Sequence, residues 1–366
     1  MNPVLLTVSG HIPPDIEAQI ARGERPLADY VALARAFPAD LLDYDRARSH
    51  AGTVGRLLEK TLGADFMLAW ACFRLRKRYP VIFTDGEQVG IPLALFLKFL
   101  NFGPRPQHLM IVHILSVKKK MLFFDWFGIQ SHIDRFLCYA TLQQKFIRER
   151  WHVPEARAVF TPFMVDADFF HPDQVTPQHT VEGLELDGRP LICAVGLEFR
   201  DYPTLMAAVE GLDVQVVIAA GSPWSKREDT TRKRPIPENV IVRRFTQYDL
   251  RTVYARSAFM VMPLYENDFQ AGVTALLEAM AMERAIICSQ TRGQTDVIVN
   301  RENGLYVPPE DPAALRQAIE YLLAHPEEAA RMGKNGRKTI DDYMSLKHYV
   351  ARLRAHVESC KLKVEG

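Results

Sequence analysis

FMVMPLYENDFQAGVTALLEAMA (259–281) divides into three parts that decide how the chain folds. The first four residues are apolar and too few for a helix, so they read as a buried strand. A loop with Glu266, Asn267, Asp268 and Gln270 follows, and from Gly272 onward small and apolar residues run on at helical length. A strand that passes through a loop into a helix is half of a βαβ unit, and the same unit recurs in both directions. LICAVG (191–196), VQVVIAAG (214–221) and NVIVRRF (239–245) precede it, and AIICSQ (285–290) and GLYVPP (304–309) follow. In the first half, strand-like runs stand at 4–9, 40–45, 81–85, 108–114, 135–140 and 157–162, with helical stretches near 26–37, 51–77, 88–101, 116–127 and 141–151. Alternation of this kind predicts parallel sheets covered by crossover helices, an α/β fold with ligand sites at the carboxyl ends of the strands.

The alternation lapses at HPDQVTPQHTVEGLELDGRP (171–190), which is polar and rich in Pro and Gly. It reads as an interdomain linker. The expected division is 1–172, a linker 173–190, a second domain 191–344, and a C-terminal helix 345–366 that could close against either domain, packing back on the first being one option. Two Rossmann-like domains of similar size would face a central cleft.

Over 366 residues, 45 Lys and Arg balance 44 Asp and Glu, a net charge of +1 that excludes a generally basic nucleic-acid binder. Five scattered cysteines without CxxC spacing fit a reducing, cytoplasmic setting and give no metal signature. The neutral total conceals a local excess. Nine basic residues between Arg74 and Lys120 stand against Asp85 and Glu87 alone. Lys118, Lys119 and Lys120 run directly into MLFFDWF (121–127), so residues 118–126 are a candidate for peripheral contact with an anionic membrane; the other reading is a basic turn before a core helix.

Within the opening stretch, a helix starting at Gly272 offers free backbone N–H groups and the positive end of its dipole, which suit a diphosphate. Ala271, Gly272, Val273 and Thr274 would cradle it. Glu278 stands among Leu276, Leu277, Ala279 and Met280, unlike a solvated surface carboxylate. Arg200, after the LICAVG strand with its terminal Gly196, could hold phosphate oxygens with its guanidinium fork, or pair with Asp201 on the surface. Lys226, Arg227 and Arg243 are possible helpers. Two DxD sequences, at 43–45 and 166–168, are short enough to arise by chance and take turn roles, so no metal is expected.

Four segments then carry a resemblance. LEAMA (277–281) after NDFQAG (267–272), the run TRGQTDVIVNRENGLYVPPEDPAALRQAI (291–319), AVGLEFRDYPTLMAAV (194–209) and FTPFMVDADFFHP (160–172) stand in order and spacing similar to family 4 retaining glycosyltransferases of the two-Rossmann-domain, GT-B type. The resemblance implies that Glu278 hydrogen-bonds the ribose of a nucleotide sugar and that Arg200 holds its diphosphate. It also implies a second glutamate eight positions before Glu278, where this chain has Gln270. An amide can hydrogen-bond a sugar hydroxyl but supplies no negative charge. His113, at the end of a first-domain strand, matches a histidine that the family often places near the donor sugar; a lone histidine also has a structural reading. Gly10 remains from a glycine-rich turn after the first strand. Arg243 and Phe245, at the strand end RRFTQYD (243–249), fall where the nucleotide base is read.

The implied activity is a hexosyltransferase reaction with retention of configuration. It needs no cofactor beyond a nucleotide diphosphate sugar as donor, a UDP-sugar by the resemblance. The basic and aromatic window points to a lipid or lipid-linked glycan acceptor at the inner face of the cell membrane. Two alternatives stay open: a soluble glycosyltransferase acting on a small metabolite or oligosaccharide, and a nucleotide-sugar-binding protein with little turnover.

Overall fold

A computed structural model describes residues 4–176, 178–221 and 229–365. It contains two six-stranded sheets in which every neighbouring pair is parallel. The first comprises β1 (Val4–Thr7), β2 (Ala39–Leu42), β3 (Val81–Thr84), β4 (Gln107–Val112), β5 (Arg135–Cys138) and β6 (Ala158–Phe160), in the order β2-β1-β3-β4-β5-β6. The second comprises β7 (Leu191–Val195), β8 (Gln215–Ala219), β9 (Val240–Arg243), β10 (Phe259–Met262), β11 (Ala285–Ser289) and β12 (Leu305–Val307), in the order β12-β11-β10-β7-β8-β9. The strand-like runs of the sequence correspond to these twelve elements, most of them shortened at one or both ends.

The apolar runs are continuous because both faces of each sheet are covered. Along β7, Leu191, Cys193 and Val195 enter one core cluster while Ile192 and Ala194 enter another, as a period of two requires. In each sheet the chain reverses its direction of travel beside the first strand. This happens between β1 and β3 in the first sheet and between β7 and β10 in the second. Diverging loops open a crevice at such a point.

Two sequence expectations are corrected. The helical stretch at 51–77 is interrupted twice: Tyr44–Leu62 is kinked at Gly52, which adopts φ 63° and ψ -164°, and Gly63 at φ 99° separates it from Ala64–Leu75. The linker reading of 173–190 also fails. The chain forms two compact units, one of residues 1–18, 27–162 and 347–366 and one of residues 19–26 and 163–346. Phe169, Phe170, Val181 and Leu184 are buried in the core of the second, and Gln215 Nε2 donates to Glu185 O at 2.7 Å. Apolar residues spaced through a polar stretch anchor it there. In the first unit the C-terminal helix Leu346–Glu365 is held by Tyr349, whose hydroxyl lies 2.7 Å from that of Tyr139, and by Arg352 donating to Pro162 O at 3.0 Å.

Candidate functional site

Three loops meet at the carboxyl ends of β7, β10 and β11. Those after β7 and β10 are pinned together by an antiparallel bridge between Arg200 and Leu264, with Asp201 N donating to Pro263 O and Tyr265 N to Phe199 O, both at 3.0 Å. The loop after β11 is tied to the second of these. Gly293 N donates to Asn267 O at 3.1 Å, and Arg292 N to the Glu266 carboxylate at 2.9 Å. Packing is close enough that a Cβ on Gly293 would stand 2.0 Å from Phe269 O.

Arg200 is 2 % exposed and lies beneath these loops. Its Nε donates to Val195 O at 2.7 Å and its Nη1 to Glu198 O at 2.6 Å. A Cβ on Gly196 or on Gly272 would come within 2.4 or 2.6 Å of its Nη2, and both glycines have positive φ, 103° and 77°. Glycine suits each on two grounds: the positive φ, and the guanidinium that lies where a Cβ would be. The surface ion pair with Asp201 does not form. Asp201 instead caps the helix Tyr202–Val209, accepting from Thr204 N at 3.1 Å. Burial lowers the guanidinium's pKa, opposed chiefly by Tyr202, but an arginine stays charged in proteins.

Beside Gly272 begins the helix Val273–Ala281, which has no side-chain cap. Val273 and Thr274 form its first turn, and Ala271 precedes the cap. A buried cation and an uncapped helix start, side by side, both favour negative charge placed beside them. Glu278 lies farther along the same helix and is 6 % exposed. Sequence reasoning missed its partner: Tyr254 OH donates to its carboxylate at 2.9 Å. Burial pushes this carboxyl up to about 7, against the lowering effect of the tyrosine hydrogen bond. Gln270 is also buried, and its Nε2 finds no hydrogen-bond partner.

The remaining candidates lie elsewhere. Arg243 ends edge strand β9, two strands from β7, with its guanidinium packed over Gly183, and Phe245 packs against the core. Lys226 and Arg227 lie outside the described residues. Gly10 and His113 belong to the first unit. There β4 ends at Val112, and exposed His113 is fixed by its backbone N–H to Glu87 at 3.1 Å and by a contact of its Nε2 with Asp85 O at 3.3 Å. Asp85 spans the switch point of that sheet, accepting from Ser9 N at 2.6 Å and from the Thr7 hydroxyl. Burial raises its pKa, while Thr7 and Ser9 hold it down.

Lys120 is reassigned. Its Nζ donates to the buried Glu87 carboxylate at 2.7 Å and to Ile114 O at 3.0 Å, so it serves the fold. Burial would raise Glu87, but His113, Lys120 and backbone N–H groups outweigh it and hold the carboxyl below its ordinary value. Lys118 and Lys119 remain exposed. Of the DxD residues, Asp43 caps the helix Tyr44–Leu62, and Asp45 bonds His11 and Arg48. Two surface hollows, one along Lys145, Arg148 and Glu155 and one along Ala258, Arg284 and Leu322, include none of the candidate residues.

Residues 201–339 match the family described as glycosyl transferases group 1, a span that includes the helix Val273–Ala281 and the β11 loop. A D-rhamnosyltransferase of Pseudomonas aeruginosa is 31% identical over 138 residues, 37% of this chain and 36% of its own length. The O-antigen chain mannosyltransferase C of Escherichia coli is 24% identical over 302 residues, 78% of this chain and 79% of its own. So the chain spans about a third of the first relative and about four-fifths of the second. Among solved structures, sucrose-phosphate synthase from Thermosynechococcus elongatus superposes over 100% of both chains with a TM-score of 0.72 at 19% identity, a likeness of fold. Residues 201–339, in the second unit, are thus similar to glycosyl transferases group 1, and the chain carries two Rossmann-like α/β units, a fold of the GT-B type.

Proposed function

We propose that the chain transfers a sugar from a nucleotide diphosphate donor to an acceptor glycan or lipid-linked glycan, with retention of configuration. One observation carries this reading: the Arg200 guanidinium lies against Gly196 and Gly272, directly under the uncapped start of the Val273–Ala281 helix. A departing diphosphate gains negative charge as the glycosidic bond breaks, and fixed positive groups placed there stabilise that charge more than they stabilise the bound donor. Glu278 would accept hydrogen bonds from the ribose hydroxyls. No protein nucleophile is needed if the departing phosphate takes the proton of the acceptor hydroxyl as the new bond forms on the same face.

The acceptor side of the reading rests on the first unit. The helix Lys118–Phe127 buries only Phe124, stacked on Trp151 at 4.2 Å between ring centres. It leaves Leu122, Trp126 and Phe127 exposed, and Phe127 meets Phe99 edge-on at 6.1 Å. Trp126 is 78 % and Phe102 89 % exposed. Aromatic side chains in water near Lys118 and Lys119 suit an anionic bilayer surface, which would bring a lipid-linked acceptor to the enzyme. Among the described residues no helix is long and apolar enough to cross a membrane. The sugars named for the two relatives, rhamnose and mannose, favour a hexose or deoxyhexose donor.

A panel of UDP- and GDP-sugars, with product read by mass spectrometry, tests the donor side. Release of the nucleoside diphosphate with transfer or hydrolysis of one sugar supports the reading. Binding without turnover would favour the nucleotide-sugar-binding alternative, and no binding at all would contradict both.

A further inference from the structure

Three exposed phenylalanines of the first unit gather at the amino ends of its strands. Phe99 lies in the last turn of the helix Glu87–Leu100, Phe102 in the loop before β4, and Phe127 closes the helix Lys118–Phe127. Phe99 and Phe127 meet edge-on at 6.1 Å. Lys118 and Lys119 open the helix that Phe127 closes, about 12 Å away along its axis, so the charge beside the rings comes from other segments. Lys98 donates its Nζ to Gly128 O at 2.9 Å, next to Phe127. Arg105 donates to the Asp134 carboxylate at 2.6 and 3.0 Å and to Ser131 O at 3.4 Å. Arg76 donates its Nε to Asn101 Oδ1 at 2.6 Å, which brings the turn after the helix Ala64–Leu75 beside Phe102. Exposed Lys77 and Arg78 follow in that turn. Among the described residues, Asp134 is the one carboxylate hydrogen-bonded to any of these cations. The neighbouring His132 registers the imbalance: burial lowers its pKa, and Arg105 and Lys98 lower it further, with Asp134 opposing them.

Unpaired cations and apolar rings side by side suit a surface that is anionic outside and apolar beneath. We infer that this end of the first sheet docks on the headgroups of an anionic phospholipid bilayer, with Phe99, Phe102 and Phe127 entering the interface and Lys77, Arg78 and Lys98 meeting the phosphates. The inference rests on the membrane reading proposed above; it names the lipid by its charge and moves the contact from Lys118 and Lys119 to the other end of their helix. A phenylalanine ring offers no hydrogen bond to water, and the bilayer interface removes its apolar surface from water. Lysine and arginine stems reach past the rings to phosphate oxygens while their methylenes stay against apolar surface. Lys98 and Arg105 are already held against the loop 128–134, so little ordering is left for binding. A net charge of +1 over the whole chain argues against nucleic acid as the partner.

Co-sedimentation of the full chain with liposomes of phosphatidylcholine alone, and of phosphatidylcholine mixed with phosphatidylglycerol, tests the assignment. Lys77→Gln with Arg78→Gln removes two exposed charges whose side chains form no hydrogen bond among the described residues, and Lys118→Gln with Lys119→Gln is the matched control. The wild-type chain is expected to bind the mixed liposomes about tenfold or more above phosphatidylcholine alone. The first double variant should lose about tenfold in partition coefficient. The control should lose less than about threefold, because its charges lie about a Debye length away from the rings. Both variants should melt at the wild-type temperature. The assignment is overturned if the Lys77 and Arg78 variant binds as the wild type does, if the control loses more, or if the two liposomes bind equally; each of these leaves the membrane reading standing. Displacement by glycerol 1-phosphate or by a single-stranded oligonucleotide at matched ionic strength would assign the cations to a soluble phosphate or to nucleic acid and overturn it too. If the wild-type chain sediments with neither liposome, the membrane reading fails and this surface fails with it.

Discussion

Glu278 shows how far a single residue can be read. Its position among apolar neighbours in LEAMA marked it as unusual, but its partner Tyr254 comes from the helix Gln247–Arg256, 24 positions earlier in the chain. Nothing local in QYDLRTVYAR announces that contact. The consequence is a pH dependence. Because the folded chain raises this carboxyl from 4.5 to about 7, folding favours its protonated form, and that contribution to stability is lost as pH rises from 4.5 through about 7. Ribose hydroxyls donate more strongly to the ionised form, so donor affinity is expected to rise through about pH 7. Calorimetric titrations between pH 5.5 and 8.5 should show the rise in the wild-type chain and a flat profile in Glu278→Gln. Lys120 behaves in the opposite sense. It helps hold buried Glu87 ionised, so the stabilisation is present above Glu87's ordinary value of 4.5 and fades as pH falls through its depressed folded value. Lys120→Met should cost about 1–3 kcal/mol in urea melts at pH 7 and less near pH 3.

At the scale of elements, strand and helix positions were legible because continuous apolar runs of four to six residues in a parallel sheet leave few other readings. What the sequence did not expose was long-range packing. The stretch 173–190 looked like a linker by composition, yet Val181 and Leu184 bury themselves in the second unit. Likewise the cation and the helix start were legible as Gly196, Arg200 and Gly272 taken singly. That the guanidinium lies against both glycines depends on the bridge from Arg200 to Leu264, a pairing that no periodicity encodes. The brace between the β10 and β11 loops can be tested through Gly293. Gly293→Ala places a methyl group 2.0 Å from Phe269 O, a backbone atom, so the loops must separate. A loss of about 1–3 kcal/mol in stability is expected, with weaker nucleotide-sugar binding measured by calorimetry.

For the whole molecule, the near-zero net charge is a sum over unlike parts. The second unit buries the cation of Arg200, while the first unit exposes Lys118 and Lys119 as well as Phe99, Phe102 and Trp126. If that surface meets membranes, the chain should sediment with anionic liposomes, and Phe102→Ser with Trp126→Ser should reduce the bound fraction several-fold at unchanged melting temperature. Equal sedimentation of the variant would remove the membrane proposal while leaving the donor site intact. The proposed donor site is tested by nucleotide-sugar turnover in Glu278→Ala, with circular dichroism as the check on folding. A fall of roughly 10- to 100-fold with a native spectrum is the expected result. Full activity in that variant would contradict the assignment of the Val273–Ala281 helix to the donor.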